Sequence, residues 1–167
     1  AAQALLEGHH RDIGVIELDP NDGEAAPGRR VGCRTYLEQA GIPWSTVHVA
    51  VGHGTARDGY AAASRLLTDH PWLTGLVCGN DCMAMGAYAA IREQGLRVRE
   101  DVAVIGIDDQ ELIADQVHPA LTTVALPFEE MGQVAVSHLL ALMEGEEVPA
   151  ETLLPGQIIR RSSAWHP

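Results

Sequence analysis

Two polar runs stand out for the chemistry they could do: Gly79-Asn80-Asp81 and Asp108-Asp109-Gln110, each directly after an apolar run with the character of a buried strand, residues 75–78 and 102–107. Carboxylate and amide groups at strand ends suit the recognition of neutral polyols. A carboxylate accepts from two adjacent hydroxyls while Arg or Asn donates to others. Acid–base or metal chemistry would ask for more than the paired Asp108 and Asp109. The sequence supplies no ordered nucleophile and base, no Lys, and no His cluster at ligand spacing. Cys78 and Cys82 end an apolar strand and begin a helix, as core thiols do, and His9 and His10 sit at a helix end, where an imidazole suits the negative dipole. No metal and no cofactor is expected.

The elements that would position these groups form a repeating βα unit. Residues 13–18 are an apolar run fit for a buried parallel strand, followed by a Pro/Gly/Asp loop over 19–28 and a helix from about Arg29 to Ala40 that stops at Gly41 and Pro43. Residues 46–51 read as a second strand, and GHGTARDGY leads into a helix ending near His70 and Pro71. The third strand, 75–78, breaks at Gly79, and Asp81 is placed to cap a helix that runs to Gln94. Residues 102–107 form the fourth strand. Strands alternating with helices of this length give an α/β fold with a doubly wound, mostly parallel sheet and helices on both faces. Ligands of such sheets lie outside the carboxyl ends of the strands, here followed by residues 19–29, 52–58, 79–81 and 108–110. The remainder departs from the repeat. LTTVALP is a short extended segment and Pro127 opens a helix with Phe128, Met131, Ala135, Leu139 and Leu142 on one stripe. The acidic stretch 144–151 is a solvated loop, and a last strand covers 153–159.

The chain has 167 residues, 23 acidic against 11 basic, all of the basic ones Arg, for a net charge of -12. Such a surface repels a phosphate backbone, so this piece should not bind DNA by itself. With no Lys there is no P-loop lysine and no pyridoxal Schiff base. Three cysteines are an odd number and fit a reducing compartment better than a disulfide framework. No apolar run approaches the roughly 20 residues of a membrane span. The opening AAQALLEGHHRD has the pattern of the second half of an amphipathic helix, so the chain reads as a fragment of something longer.

The blocks GHHRDIGVI, GRRVGCRTYLEQAGI, RDGYAAASRLL, GNDCMAMGAYAAIREQGLRVREDVAVIGIDD, HPALTTVALPFEEMGQVAVSHLLALMEG and LLPGQIIRRSS cover almost the whole chain. In this order they resemble the lactose-repressor (LacI/GalR) family of bacterial transcription regulators. The resemblance implies a periplasmic-binding-protein-like (type I) ligand domain. Residues 1–120 would be its C-terminal lobe, residues 121–152 a strand and helix crossing to the N-terminal lobe, and residues 153–167 the return strand and tail. The helix-turn-helix and most of the N-terminal lobe would be absent. Family members bind a sugar, nucleoside or purine between the lobes and thereby shift operator affinity, which requires two global states.

Carried over by resemblance, the effector-binding arginine falls on Arg29 of GRRVG, with Arg30 one register away and otherwise a solvated helix face. The asparagine after the third strand falls on Asn80 and the turn aspartate on Asp108. The ordinary alternatives are a helix cap for Asn80 and an Asx-turn residue for Asp108. Asp81 reads as a cap. Where many relatives place an aromatic ring this chain has Gly54, so stacking falls to His53 or to the missing lobe. The acidic loop ELDPNDGEAAPG brings Asp19 or Asn21 to the same rim. The expected function is effector sensing in a cytoplasmic, non-enzymatic regulator that meets operator DNA only through the missing domain. The apolar stripe of the 128–144 helix should pack against a second copy, giving a homodimer, with exchange of that helix as one route. The alternative with the same fold is the sugar-binding protein of an ABC transporter, which would carry a secretion signal.

Overall fold

The computed structural model describes residues 1–21, 23 and 25–164, so the last three residues of the tail lie outside the described residues. The elements in chain order are α1 (Ala2–Glu7), β1 (Ile13–Leu18), α2 (Ala25–Gln39), β2 (His48–Gly52), α3 (Ala56–Asp69), β3 (Gly75–Cys78), α4 (Asp81–Glu93), β4 (Ala103–Asp108), the short α5 (Glu111–Ala114), β5 (Thr122–Ala125), α6 (Phe128–Met143) and β6 (Gln157–Ile159). The sheet runs β2-β1-β3-β4-β5-β6, parallel except for β6, which pairs antiparallel with β5.

Strand alternation divides the core in two. Ile16, Leu76, Cys78 and Val104 face α3 and α4, while Ile13, Val15, Val77 and Ile105 face α1 and α2. The helices therefore cover both faces of the sheet, as a doubly wound parallel sheet demands. Helices α3 and α4 meet backbone to backbone. A Cβ on Gly59 would stand 2.1 Å from the Met83 carbonyl oxygen, and one on Gly86 would stand 1.9 Å from that of Ala56.

Several boundaries move from those expected. Helix α2 begins a full turn before Arg29, because Pro27 falls in the first turn, where its missing N–H costs no helix bond. Residues 44–46 form a 3-10 turn after Pro43, with the Thr46 hydroxyl donating to the Pro43 carbonyl, so β2 starts two residues later than read. The last strand shortens to Gln157–Ile159, since Pro155 has no N–H to give a ladder and precedes Gly156. Pro127 is the N-cap of α6, one position before the N1 expected. Helix α6 buries none of its residues, and Phe128, Leu139 and Leu142 are more than half exposed.

Candidate functional site

Strand β1 lies between β2 and β3, and the chain leaves it toward α2 on one face and leaves β2 and β3 toward α3 and α4 on the other. The topological switch point therefore falls at the carboxyl ends of β1 and β3, where an α/β sheet opens a crevice.

Arg29 crosses that crevice from the second turn of α2. One guanidinium nitrogen donates to Asp108 Oδ1 at 2.8 Å and the other to the Gly79 carbonyl oxygen. The two side chains are 22% and 16% exposed, so the pair is partly shielded and still reachable from the rim. Asp108 ends β4 with φ 112° and Asp109 follows with φ 55°. Two successive non-glycine residues at positive φ cost of order 1–3 kcal/mol each, a strain that persists only where surrounding contacts impose it.

Arg29 holds Asp108, Arg161 pairs with Asp109 at 2.8 Å, and Asp81 fixes the next residue, Gln110, which corrects the expectation that Asp81 is a cap. Asn80 is the N-cap of α4, its Oδ1 accepting from Met83 N at 2.8 Å. Asp81 is fully buried, with Oδ1 accepting from the Thr123 hydroxyl at 2.6 Å and Oδ2 from Gln110 N at 2.8 Å. It thus ties α4, β5 and the turn after Asp108 together. Gly106 makes room for it, since a Cβ there would stand 2.1 Å from Asp81 Oδ1.

Burial pushes the Asp81 pKa above its ordinary value of 3.8, the bonds from Thr123 and Gln110 oppose this, and the charges of Asp108 and Asp109 push it further up. The folded state therefore holds this proton to higher pH than the unfolded chain, and stability from this group falls as pH rises from the ordinary value through the raised one. Asp81→Asn, which carries no charge, should gain on the natural protein in urea unfolding as pH goes from acid to neutral. A natural protein that gains on the variant over that range would contradict the assignment.

The remaining expected site residues lie on the same rim with other duties. Asn80 caps α4, and its Nδ2 donates to the Gly54 carbonyl at 3.0 Å. Asp19 accepts from both the backbone N and the Nδ2 of Asn21 at 2.8 Å, which lowers its pKa. His53 is exposed in the loop after β2, between Asp19 and Asp58, and its nearby charge helps lower both of their pKa values after the hydrogen bonds that dominate. Gly54 has φ 77°, with Asn80 Nδ2 and Leu18 closing over the place a Cβ would take, so the local backbone disfavours an aromatic there. Arg30 lies on an exposed helix face, as expected for it, and from there also pairs with Glu17, a carboxylate buried near the end of β1, at 3.3 Å. Sequence reading passed over Glu17, although strand alternation puts it on the same face as Ile13 and Val15. Cys78 and Cys82 are free thiols, and no group of three His, Cys, Asp or Glu suited to a metal occurs among the described residues.

The model of the periplasmic binding protein-like domain family matches residues 2–164. The HTH-type transcriptional repressor PurR of Yersinia pestis bv. Antiqua (strain Antiqua) is 38% identical over 171 residues, covering 100% of this chain and 49% of the relative. The chain thus spans about half the length of the curated relatives it matches. Among solved structures, the lac repressor dimer bound to operator and the anti-inducer ONPF superposes with a TM-score of 0.89 at 32% identity, over 98% of this chain and 56% of that one. The transcriptional regulator CelR–cellobiose complex gives a TM-score of 0.89 at 34% identity, over 98% and 50%. A LacI-family transcriptional regulator from Burkhoderia phymatum gives 0.83 at 33%, over 99% and 59%. With a family match over nearly its whole length and relatives that are transcription repressors, the chain belongs to the periplasmic-binding-protein-like domain family in the form carried by LacI-type regulators.

Proposed function

We propose that this chain is the effector-sensing part of a LacI-type transcription regulator, which binds a small polar ligand and passes that event to an operator-binding domain. The observation that carries the reading is the Arg29–Asp108 pair, set at the switch point with the Arg donating and the carboxylate accepting. Such a pair can open around a hydroxylated ligand and give it both partners. Relatives named as repressors, one of them solved on its operator, and a transcriptional regulator solved with cellobiose support this over a transporter's solute-binding protein.

In this reading residues 1–120 are one lobe, residues 121–152 cross to the other, and residues 153–167 return. The stand-off of α6, which buries none of its residues, fits that crossing and leaves an apolar stripe for a second copy in a homodimer. The protein acts in the cytoplasm and binds without turning its ligand over. The surface charge of -12 leaves DNA contact to a separate domain.

The test begins upstream of Ala1, where the coding sequence should specify a helix-turn-helix, a hinge and a first lobe. The intact product should bind operator DNA, and one member of a sugar and nucleoside panel should change that affinity by about tenfold or more. A secretion signal upstream, or DNA affinity indifferent to every ligand that binds, would overturn the reading.

A further inference from the structure

The same crevice holds a polar atom that the fold leaves unsatisfied. Glu17 is 6% exposed, Arg30 reaches its Oε2 at 3.3 Å, and its Oε1 has no hydrogen-bond partner. Burial raises its pKa and the Arg30 charge offsets only part of that. A buried acceptor without a donor loses its hydration with nothing in return, which is uncommon outside sites completed by something else.

Glu17 lines a cavity of about 350 Å³ whose other walls are mainly apolar, among them Val15, Leu18, Val77, Ile107 and Leu126. Small-molecule sites run from about 300 to 1,000 Å³. Arg29 and Gly79 line it as well, so the cavity abuts the Arg29–Asp108 pair. Arg30 already supplies the positive charge that Glu17 calls for, so what Oε1 lacks is a neutral donor carried on a body that suits mainly apolar walls. The complement that fits is a donor on an apolar frame, such as a ring N–H.

We propose that this cavity takes an apolar part of the effector and that Glu17 Oε1 accepts a hydrogen bond from an N–H on it. The effector is then a two-ended compound, with a hydroxylated end at Arg29 and Asp108 and an apolar, N–H-bearing body beside Glu17. A bare sugar would leave the second end empty. The inference rests on the effector reading of this crevice, and its test is made independent of that reading by a probe that has no hydroxyls.

Indole and benzofuran have nearly the same shape, and only indole has an N–H. Titrated into the purified intact protein by calorimetry, indole should bind about tenfold or more tightly than benzofuran. Glu17→Leu should abolish that preference, and Glu17→Gln, which keeps an acceptor oxygen, should retain much of it. Should the leucine variant fail to fold, the carboxyl-carbon NMR shift of Glu17 in the natural chain serves instead, moving with indole and not with benzofuran. Equal affinities, no saturable binding of either probe, or a preference that survives Glu17→Leu would overturn the proposal. None of these results touches Arg29 and Asp108, so the effector reading fails separately, on the operator experiment.

Discussion

Gly86→Ala is expected to destabilise the fold by about 3 kcal/mol, although glycine to alanine inside a helix normally stabilises by roughly 0.5–1 kcal/mol. The sign turns on what the new methyl meets. In α4 its carbon would stand 1.9 Å from the Ala56 carbonyl oxygen and 2.6 Å from Tyr60 N, both backbone atoms of α3 that cannot swing aside as a side chain would. The helices would have to part along a seam built on Ala62, Ala63, Leu66, Ala84, Ala87 and Ala90, all buried. Gly32 in α2 is the internal control, since nothing lies within 4 Å of a Cβ there, and Gly32→Ala should be neutral or stabilise by up to about 1 kcal/mol. Urea midpoints at unchanged slope would report both effects. If Gly86→Ala matched Gly32→Ala, α3 and α4 would not touch through these glycines.

That seam illustrates what the sequence could not disclose. Apolar runs of four to six residues specified β1 and β3 to their end residues, because both strands are buried on two faces and bounded by polar or glycine residues. The Ala and Gly content of α3 and α4 was just as visible, but which glycine meets which carbonyl depends on the crossing of two helices far apart in sequence. The misread start of α2 has a local cause, since Pro27 suits a loop and a first helical turn equally. Asn80 and Asp81 are adjacent cap formers, and which one caps depends on where β3 ends. The other is carried inward to Thr123, a contact across 42 positions of sequence. Glu17 escaped for a different reason. A single acid within an apolar strand looks like the strand's wet end, whereas the strand continues through Leu18 and α2 covers the face Glu17 occupies.

For the effector that the ligand panel identifies, Arg29→Ala should weaken binding about a hundredfold or more. The guanidinium is held by Asp108 Oδ1 and the Gly79 carbonyl, so its direction into the crevice is set before any ligand arrives and little ordering cost remains at binding. Hydrogen bonds to charged groups contribute about 1.5–3 kcal/mol each, and the substitution removes those from the guanidinium while leaving Asp108 without its counter-charge. Lysine is not a remedy, because a point ammonium cannot hold the carboxylate and the carbonyl in one planar fork, and Arg29→Lys should recover only a small part of the loss. Asp108→Asn should cost a similar amount. Since the two residues act as one unit, Arg29→Ala with Asp108→Asn should cost far less than the sum of the single losses. The cycle also separates binding from scaffolding. Both side chains are partly exposed, so unfolding midpoints should move little beside the change in affinity. Full additivity, or affinities within a few-fold of the natural protein, would mean that the pair only fastens α2 to the end of β4. The strain at Asp108 and Asp109 would then serve the fold and not the ligand.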